Sequence, residues 1–471
     1  MRLGFMKPRQ VPRRSVEARR LYAKLKNLTG CLVVSSENGS RFRLRPDDYC
    51  RKIRRSPRPN KRLPPKLIMK HFHSLLAFVT AVCTLVSASP TPPGPPGPPS
   101  PPTPPGSSIT TSNPFTGHDF FVSPVYRKEA GEAAVTLLKQ GKFDLANRAS
   151  YVAAKIGTFL WVSDTATVPK IGDWLKEAAL VQSLTGKKQV VEIEVYNLPD
   201  RDCSAAASAG ELSYANDGEK KYQDYIKAVA AQIKKFPQLR VVIGLETDSI
   251  GNLVTNLSVP KCAAAADGQK RSLAYAIANL QLPNVAIYVD GAHAGWLGWP
   301  SNIGPTADII AEIVAAAKKL NPKAGIRGVA TNVSNYNGFG NQPQTGYDEL
   351  VYVKNLQPLL AAKGIDAHFI VDQGRSGNQN STRVGGDWCN NKYAGFGPLP
   401  TTNTGEAIVD ALVWVKPGGE ADGTSDPTAP RYDTTCGNEY ALQPAPEAGT
   451  WFQAYFEQLL RNANPKIPRL I

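Results

Sequence analysis

Apolar residues recur at three- and four-residue spacing in GEAAVTLLKQG (131–141), EKKYQDYIKAVAAQIKKF (219–236) and ADIIAEIVAAAKKLNP (307–322), which predicts amphipathic helices there. Between and after them lie short apolar runs rich in Val and Ile: GTFLWVSD (157–164), QVVEIEV (189–195), LRVVIGL (239–245), NVAIYVD (284–290), GIRGVATNV (325–333), AHFIVD (367–372) and ALVWV (411–415). Each has strand length. Strands that alternate with helices predict an α/β fold with parallel strands and right-handed crossovers. A closed barrel and an open doubly wound sheet both fit this alternation.

Five of these runs lead into an acidic residue: Asp202, Asp248, Asp290, Asp372 and the Glu420/Asp422 pair. In a parallel barrel all strand C-termini open onto one face, so these carboxyls would converge there. A single strand-end Asp commonly caps the next helix. Five in succession, with Trp296, Trp299 and Trp388 nearby in sequence, point instead to a crevice of carboxylates and indole rings. Such a crevice suits cleavage of a glycosidic bond, which needs a proton for the leaving oxygen and attack at the anomeric carbon. Glu246 lies two residues before Asp248, and two carboxyls so close would share protons; otherwise Glu246 would pair with a barrel Lys or Arg and Asp248 would cap a helix. Arg201 sits between Asp200 and Asp202 and could pair with one of them. Trp161 and Tyr196 also fall at strand ends, whereas Trp414, inside ALVWV, reads as core.

Charge divides the chain unevenly. Residues 1–70 carry 21 Lys and Arg against 4 Asp and Glu, while the remainder carries 34 against 35. The excess positive charge is thus confined to the first 70 residues, and the near-neutral remainder has no electrostatic reason to bind nucleic acid. The segment MKHFHSLLAFVTAVCTLVSASP has the short basic start, apolar stretch and small-residue end of a secretory signal peptide. It is short for a membrane span. Residues 1–68 are therefore expected to precede a mis-assigned start at Met69, residues 69–88 to form the signal peptide, and residues 89–112, SPTPPGPPGPPSPPTPPGSS and its flank, a proline-rich polyproline II tail. Residues 113–471 form the catalytic domain on this reading. An extracellular location is expected, with no membrane or nucleic-acid partner.

Four cysteines lie in the expected mature chain: Cys203, Cys262, Cys389 and Cys436. An even count in a secreted protein implies two disulfides, and three pairings are open. No CxxC and no Cys/His cluster has metal-ligand spacing, so neither metal nor cofactor is expected. GxGxxG, GxSxG and P-loop signatures are absent, and only His118, His293 and His368 remain outside the leader. Sequons stand at Asn256, Asn332 and Asn380.

The stretches VYNLPDRDC, YVDGAHAGWLGWP, ATNVSNYNG, DQGRSG, GDWCN, VWVKPGGEADGTSD and LQPAPEAGTWFQAYF resemble glycoside hydrolase family 6, of the fungal cellobiohydrolase II type. The resemblance runs from about residue 115 to the C-terminus. It implies a distorted, incomplete, TIM-like parallel β/α barrel with an active-site tunnel roofed by two disulfide-stapled loops. It implies hydrolysis of β-1,4-glucan with inversion, by a monomer acting on cello-oligosaccharides or cellulose. Asp248 matches the catalytic acid and Asp202 the carboxylate that supports it. Asp422 matches the proposed base, Ser208 the serine that relays water to it, and Tyr196 the tyrosine that helps distort the sugar. Trp161, Trp388, Trp296 and Trp299 match sugar-stacking positions, and Lys416 and Glu420 match residues that hydrogen-bond the glucan. Arg201, His293 and Asn335, inside the same motifs, are expected to bind substrate too. The family's disulfides correspond to Cys203–Cys262 and Cys389–Cys436. The full-length segment from Lys416 to LQPAP implies exo action, with an open-cleft endoglucanase or a non-catalytic carbohydrate-binding protein as the alternatives. Two departures stand out: Glu246-Thr247-Asp248 replaces the family's Glu-Pro-Asp, and Ser163 replaces an acid, with Asp164 one position later.

Overall fold

A computed structural model describes residues 112–340, 347–379 and 386–470. The basic segment, the signal peptide and all but the last residue of the proline-rich tail lie outside the described residues, as does the Asn380 sequon. Eight strands form one all-parallel sheet: β1 (Asp119–Phe120), β2 (Leu160–Val162), β3 (Gln189–Val195), β4 (Arg240–Leu245), β5 (Val285–Asp290), β6 (Gly328–Thr331), β7 (His368–Asp372) and β8 (Val409–Val413). From β3 to β8 the spatial order follows the sequence order. β1 pairs with the first two residues of β3 and β2 with its last three, so both share one neighbour.

Helices follow most of the strands, so parallel neighbours are joined by βαβ crossovers, and the sheet curls into a partial barrel. Among the described residues no ladder joins β8 back to β1 or β2. Single bonds bridge the gap: Phe159 N–H donates to Trp414 O (3.3 Å) and the Trp161 indole N–H to Val415 O (2.9 Å). The expected distorted, incomplete barrel is the fold observed.

Side-chain alternation builds two cores on the two faces of the sheet. Val191, Ile193, Val195, Val241, Ile243 and Leu245 face outward into the helix layer. Val190, Val242, Ala286, Tyr288, Ile370 and Val413 face the barrel interior with Phe115 and Phe159. Being buried on both faces, the strands read as continuous apolar runs rather than alternating ones. A third core lies where closure fails. There the helices Pro124–Lys139 and Phe143–Lys155 and the last helix, Gln453–Arg461, enclose Phe396 and Trp414. Trp414 is fully buried and stacks on Phe396 at 4.7 Å, the core role its sequence context indicated.

Helix limits follow local chemistry. The predicted helix at 131–141 begins earlier, at Pro124, because Ser123 caps it and proline suits the first helical position. The one expected at 307–322 likewise begins at Pro300 and accommodates Pro305 in its second turn. Among the described residues no helix is long and apolar enough to cross a membrane. Cys203–Cys262 and Cys389–Cys436 are both bonded, as the resemblance implied. Asn332 is fully buried, and its side-chain amide donates to Asn337 O and Asp372 O, so this sequon offers no glycan attachment in the folded chain.

Candidate active site

Among the described residues, nine non-glycine residues have left-handed backbone, and all lie in the loops after the strands: Asp200, Asp202, Asp217, Glu246, Asp248, Ala292, Asn332, Ser334 and Asn390. Such conformations are unfavourable for residues with a Cβ and persist only where surrounding bonds impose them. Those bonds build the site.

After β3, Tyr196 is buried and meets Trp161 edge-on at 5.4 Å. The Arg201 guanidinium lies 4.2 Å over the Tyr196 ring. It donates to the carbonyls of Ser163 (2.8 Å), Ser208 (3.0 Å) and Tyr196 rather than to either flanking acid. Asp200 instead accepts from Tyr214 N–H (2.9 Å), and Asp202 from Ser208 N–H (2.7 Å). Burial raises the Asp202 pKa above its ordinary value.

After β4, Glu246 neither shares a proton with Asp248 nor pairs with a basic residue. It is fully buried and accepts from Asn197 N–H (3.1 Å), Leu198 N–H (2.8 Å) and the Tyr222 hydroxyl (2.8 Å), tying the β4 exit to the β3 exit. The partner of Asp248 comes from β5: its backbone N–H donates to Asp290 Oδ2 at 2.8 Å. Burial, then the charges of Asp290 and Asp202, push the Asp248 carboxyl well above the usual carboxylate range. Asp290 is raised too, by burial. Asp248, half-buried against the fully buried Asp290 and with no cation on it, therefore retains its proton at pH values where exposed carboxylates have lost theirs.

Asp422 is held differently. The buried Arg375 Nη1 donates to both its oxygens (2.8 and 2.7 Å), and Asn390 N–H (2.8 Å) and the Tyr336 hydroxyl (3.1 Å) donate to Oδ2. Asp372 clasps three strand exits, accepting from Gly374 N–H (2.9 Å), Ser334 N–H (3.2 Å) and Lys416 N–H (3.0 Å). The Lys416 ammonium lies 3.7 Å from Glu420 and 5.7 Å from the Trp161 ring centre.

Trp161, Tyr196, Arg201, Ser208, Lys416 and Glu420 line one cavity of about 240 Å³. His293, Trp296 and Trp299 stand apart from it, after β5. Trp296 packs on the core with its indole N–H on Thr255 (2.7 Å) and its edge toward His293, while Trp299 is 47% exposed and meets Tyr347 at 5.6 Å. Asn335 sits in the turn after β6 and accepts from Tyr336 N–H (2.8 Å). Trp388 packs against Ala207 and the Cys389–Cys436 bridge. There the two stapled loops meet: a Cβ on Gly423 would stand 2.6 Å from Cys436 Sγ and 2.8 Å from Ala207 Cβ. Asp290, Arg375, Tyr336 and Asn390 received no site role from sequence. Asp290 was visible as a strand-end acid, and Arg375 as the only cation in DQGRSG.

Several buried carboxyls bind protons more tightly in the folded chain than in the unfolded one. Burial lifts Glu129, Glu246 and Glu349 to about 7 and Asp372 to about 6. Where folded pKa values are raised, the native state holds more protons, so stability falls as pH climbs from the unfolded values near 4 through those values. Asp410, depressed by Arg327 against the effect of its burial, acts oppositely, but only below about pH 4. The Tm is therefore expected to decline from about pH 5 to pH 8; a calorimetric series in which it stays level or rises would contradict these assignments.

Residues 115–463 match the model for glycosyl hydrolases family 6, and the chain belongs to that family. It is 50% identical over 362 residues to "Exoglucanase 3" of Agaricus bisporus, spanning 75% of this chain and 80% of that protein. Among solved structures, it resembles a glycoside hydrolase family 6 enzyme from Coprinopsis cinerea (TM-score 0.74, 43% identity, covering 76% of this chain and 100% of that one). It also resembles cellobiohydrolase II from Humicola insolens in complex with glucose and cellotetraose (TM-score 0.72, 45% identity, 75% and 100%).

Proposed function

We propose that this chain is a secreted, inverting glycosidase that cleaves β-1,4-glucan and releases cellobiose from non-reducing ends. The observation that carries this reading is the Asp248–Asp290 pair: a half-buried carboxyl without a cation, bonded to a buried acid and interacting with Tyr196 of the aromatic-lined cavity. Asp248 donates the proton to the departing oxygen, and Asp202 sustains the raised affinity of Asp248 for that proton. Trp161 and Tyr196 receive and twist the sugar at the cleavage point, with Arg201 fixing the Tyr196 ring. Lys416 and Glu420 hold hydroxyls at the non-reducing side. Trp388, Trp296 and Trp299 stack sugars further along, with His293 and Asn335 beside them. Inversion requires water activated on the opposite face of the ring. Asp422, approached through Ser208, is the acceptor in this scheme, and it takes a proton only as the hold of Arg375 relaxes.

The contact of the two stapled loops at Gly423 supports a roofed tunnel and hence exo action over an open cleft. The enzyme works as a monomer outside the cell, with neither cofactor nor metal. Product analysis by proton NMR in the first minutes on amorphous cellulose tests the reading. Mostly cellobiose, appearing as the α-anomer, is the expected result. A spread of longer α-oligosaccharides would overturn exo action, and binding without products would overturn catalysis.

A further inference from the structure

Thr247 departs from the family pattern at the residue next to Asp248, and the barrel interior shows what it contacts. Glu194, on β3, is buried and points into the barrel on the same face as Val190. In the parallel register its Cα partner on β4 is Gly244. A Cβ at position 244 would stand 1.9 Å from Glu194 Oε2 and 3.0 Å from its Cδ, so glycine there leaves the space that the carboxyl fills. From that space Glu194 Oε1 accepts the Thr247 hydroxyl at 2.7 Å. Thr247 stands between Glu246 and Asp248, whose φ angles are +57° and +69°.

Two left-handed, non-glycine residues flanking a third make a turn that does not hold itself. Glu246 is anchored by its three donors and Asp248 by the backbone bond to Asp290. The middle residue's side chain is held by Glu194. Proline would restrict this position through its ring; threonine leaves it free unless its hydroxyl is bound. Glu194 has no cation, and its second oxygen has no hydrogen-bond partner in a buried place, which is a costly arrangement to keep.

We propose that Glu194, Gly244 and Thr247 form a positioning unit for the catalytic acid: the Glu194–Thr247 hydrogen bond fixes the turn that aims Asp248 at the glycosidic oxygen. This rests on the reading of Asp248 as the proton donor. None of the three residues touches substrate in this scheme, so their effect falls on proton delivery and not on sugar binding.

Cello-oligosaccharides need a proton on the leaving group, whereas β-cellobiosyl fluoride does not. Thr247→Val keeps the shape and removes the hydroxyl. It is expected to lower kcat on cellohexaose about 10-fold, the scale of a small misplacement of a reacting group. KM should hold, and the rate on the fluoride should stay within about twofold of wild type on the same scale. Thr247→Ser restores the hydroxyl and should recover the cellohexaose rate. Equal losses on both substrates by Thr247→Val, or no loss on either, would overturn the positioning role. Asp248→Asn, assayed in parallel, separates the two ideas: loss on cellohexaose with retention on the fluoride upholds the acid, while any other pattern removes the acid reading itself. Circular dichroism and Tm confirm that each variant folds. Should Thr247→Val fail to fold, Glu194→Gln and Glu194→Leu serve instead: the first keeps an acceptor for Thr247 and should be active, the second should show the substrate split.

Discussion

Asp248→Asn is expected to lower kcat/KM on cello-oligosaccharides by about 10²- to 10⁴-fold, the usual contribution of a positioned general acid. The substitution preserves shape, and the backbone N–H of residue 248 can still donate to Asp290, so the turn survives. What is lost is a proton held at working pH by burial and by the charges of Asp290 and Asp202. Asp290→Asn should behave differently. It keeps an oxygen for the N–H groups of Asp248 and Ala292 but removes a charge that raises Asp248. Asp248 then loses its proton at lower pH, so the alkaline limb of kcat/KM moves to lower pH while the rate at acidic pH is largely kept. An Asp248→Asn enzyme with most of its activity on cello-oligosaccharide would remove Asp248 from the role.

The strand frame and the face on which the acids gather were legible because each buried strand is an apolar run that stops at a turn residue. β1 was not legible: two residues, Asp119 and Phe120, carry no period. The helices Phe143–Lys155 and Glu349–Ala361 bury faces of regular helical spacing, but the face of the first is mostly alanine, and the second helix contains Pro358 and buries Glu349. In the site, residue types at strand ends were readable and their partners were not. Adjacency suggested that Glu246 pairs with Asp248. In the fold, a left-handed turn sends Glu246 to the backbone of the neighbouring strand exit and brings Asp290, 42 residues away, to Asp248. Likewise Asp422 finds Arg375 across 47 residues. Glu192 and Glu194 alternate with apolar residues as the solvent face of an edge strand would, yet both are buried inside the barrel. Only three-dimensional closure reveals that.

The Arg375–Asp422 pair governs how the acceptor can be tested. Side-chain exposures of 1% and 6% place both charges out of solvent. Asp422→Ala leaves the guanidinium buried without its anion, a change expected to cost about 3–5 kcal/mol and to lower Tm by on the order of 5–10 °C. Loss of activity in that variant alone therefore says little about proton transfer. Arg375→Met should cost a similar amount, since it strands the carboxylate beside Tyr336 and Asn390. Combined as Arg375→Met with Asp422→Leu, the substitutions remove both charges and should restore much of the stability, because apolar pairs often replace buried ion pairs without loss. Chemical denaturation of the single and double variants measures this directly. If Asp422 accepts a proton from water, the double variant is stable and still inactive. Azide, a nucleophile that needs no base, then raises the rate of Asp422→Ala and gives an α-glycosyl azide. A double variant that regains hydrolysis would instead confine Asp422 to neutralising the buried Arg375 guanidinium, with no part in the proton transfer.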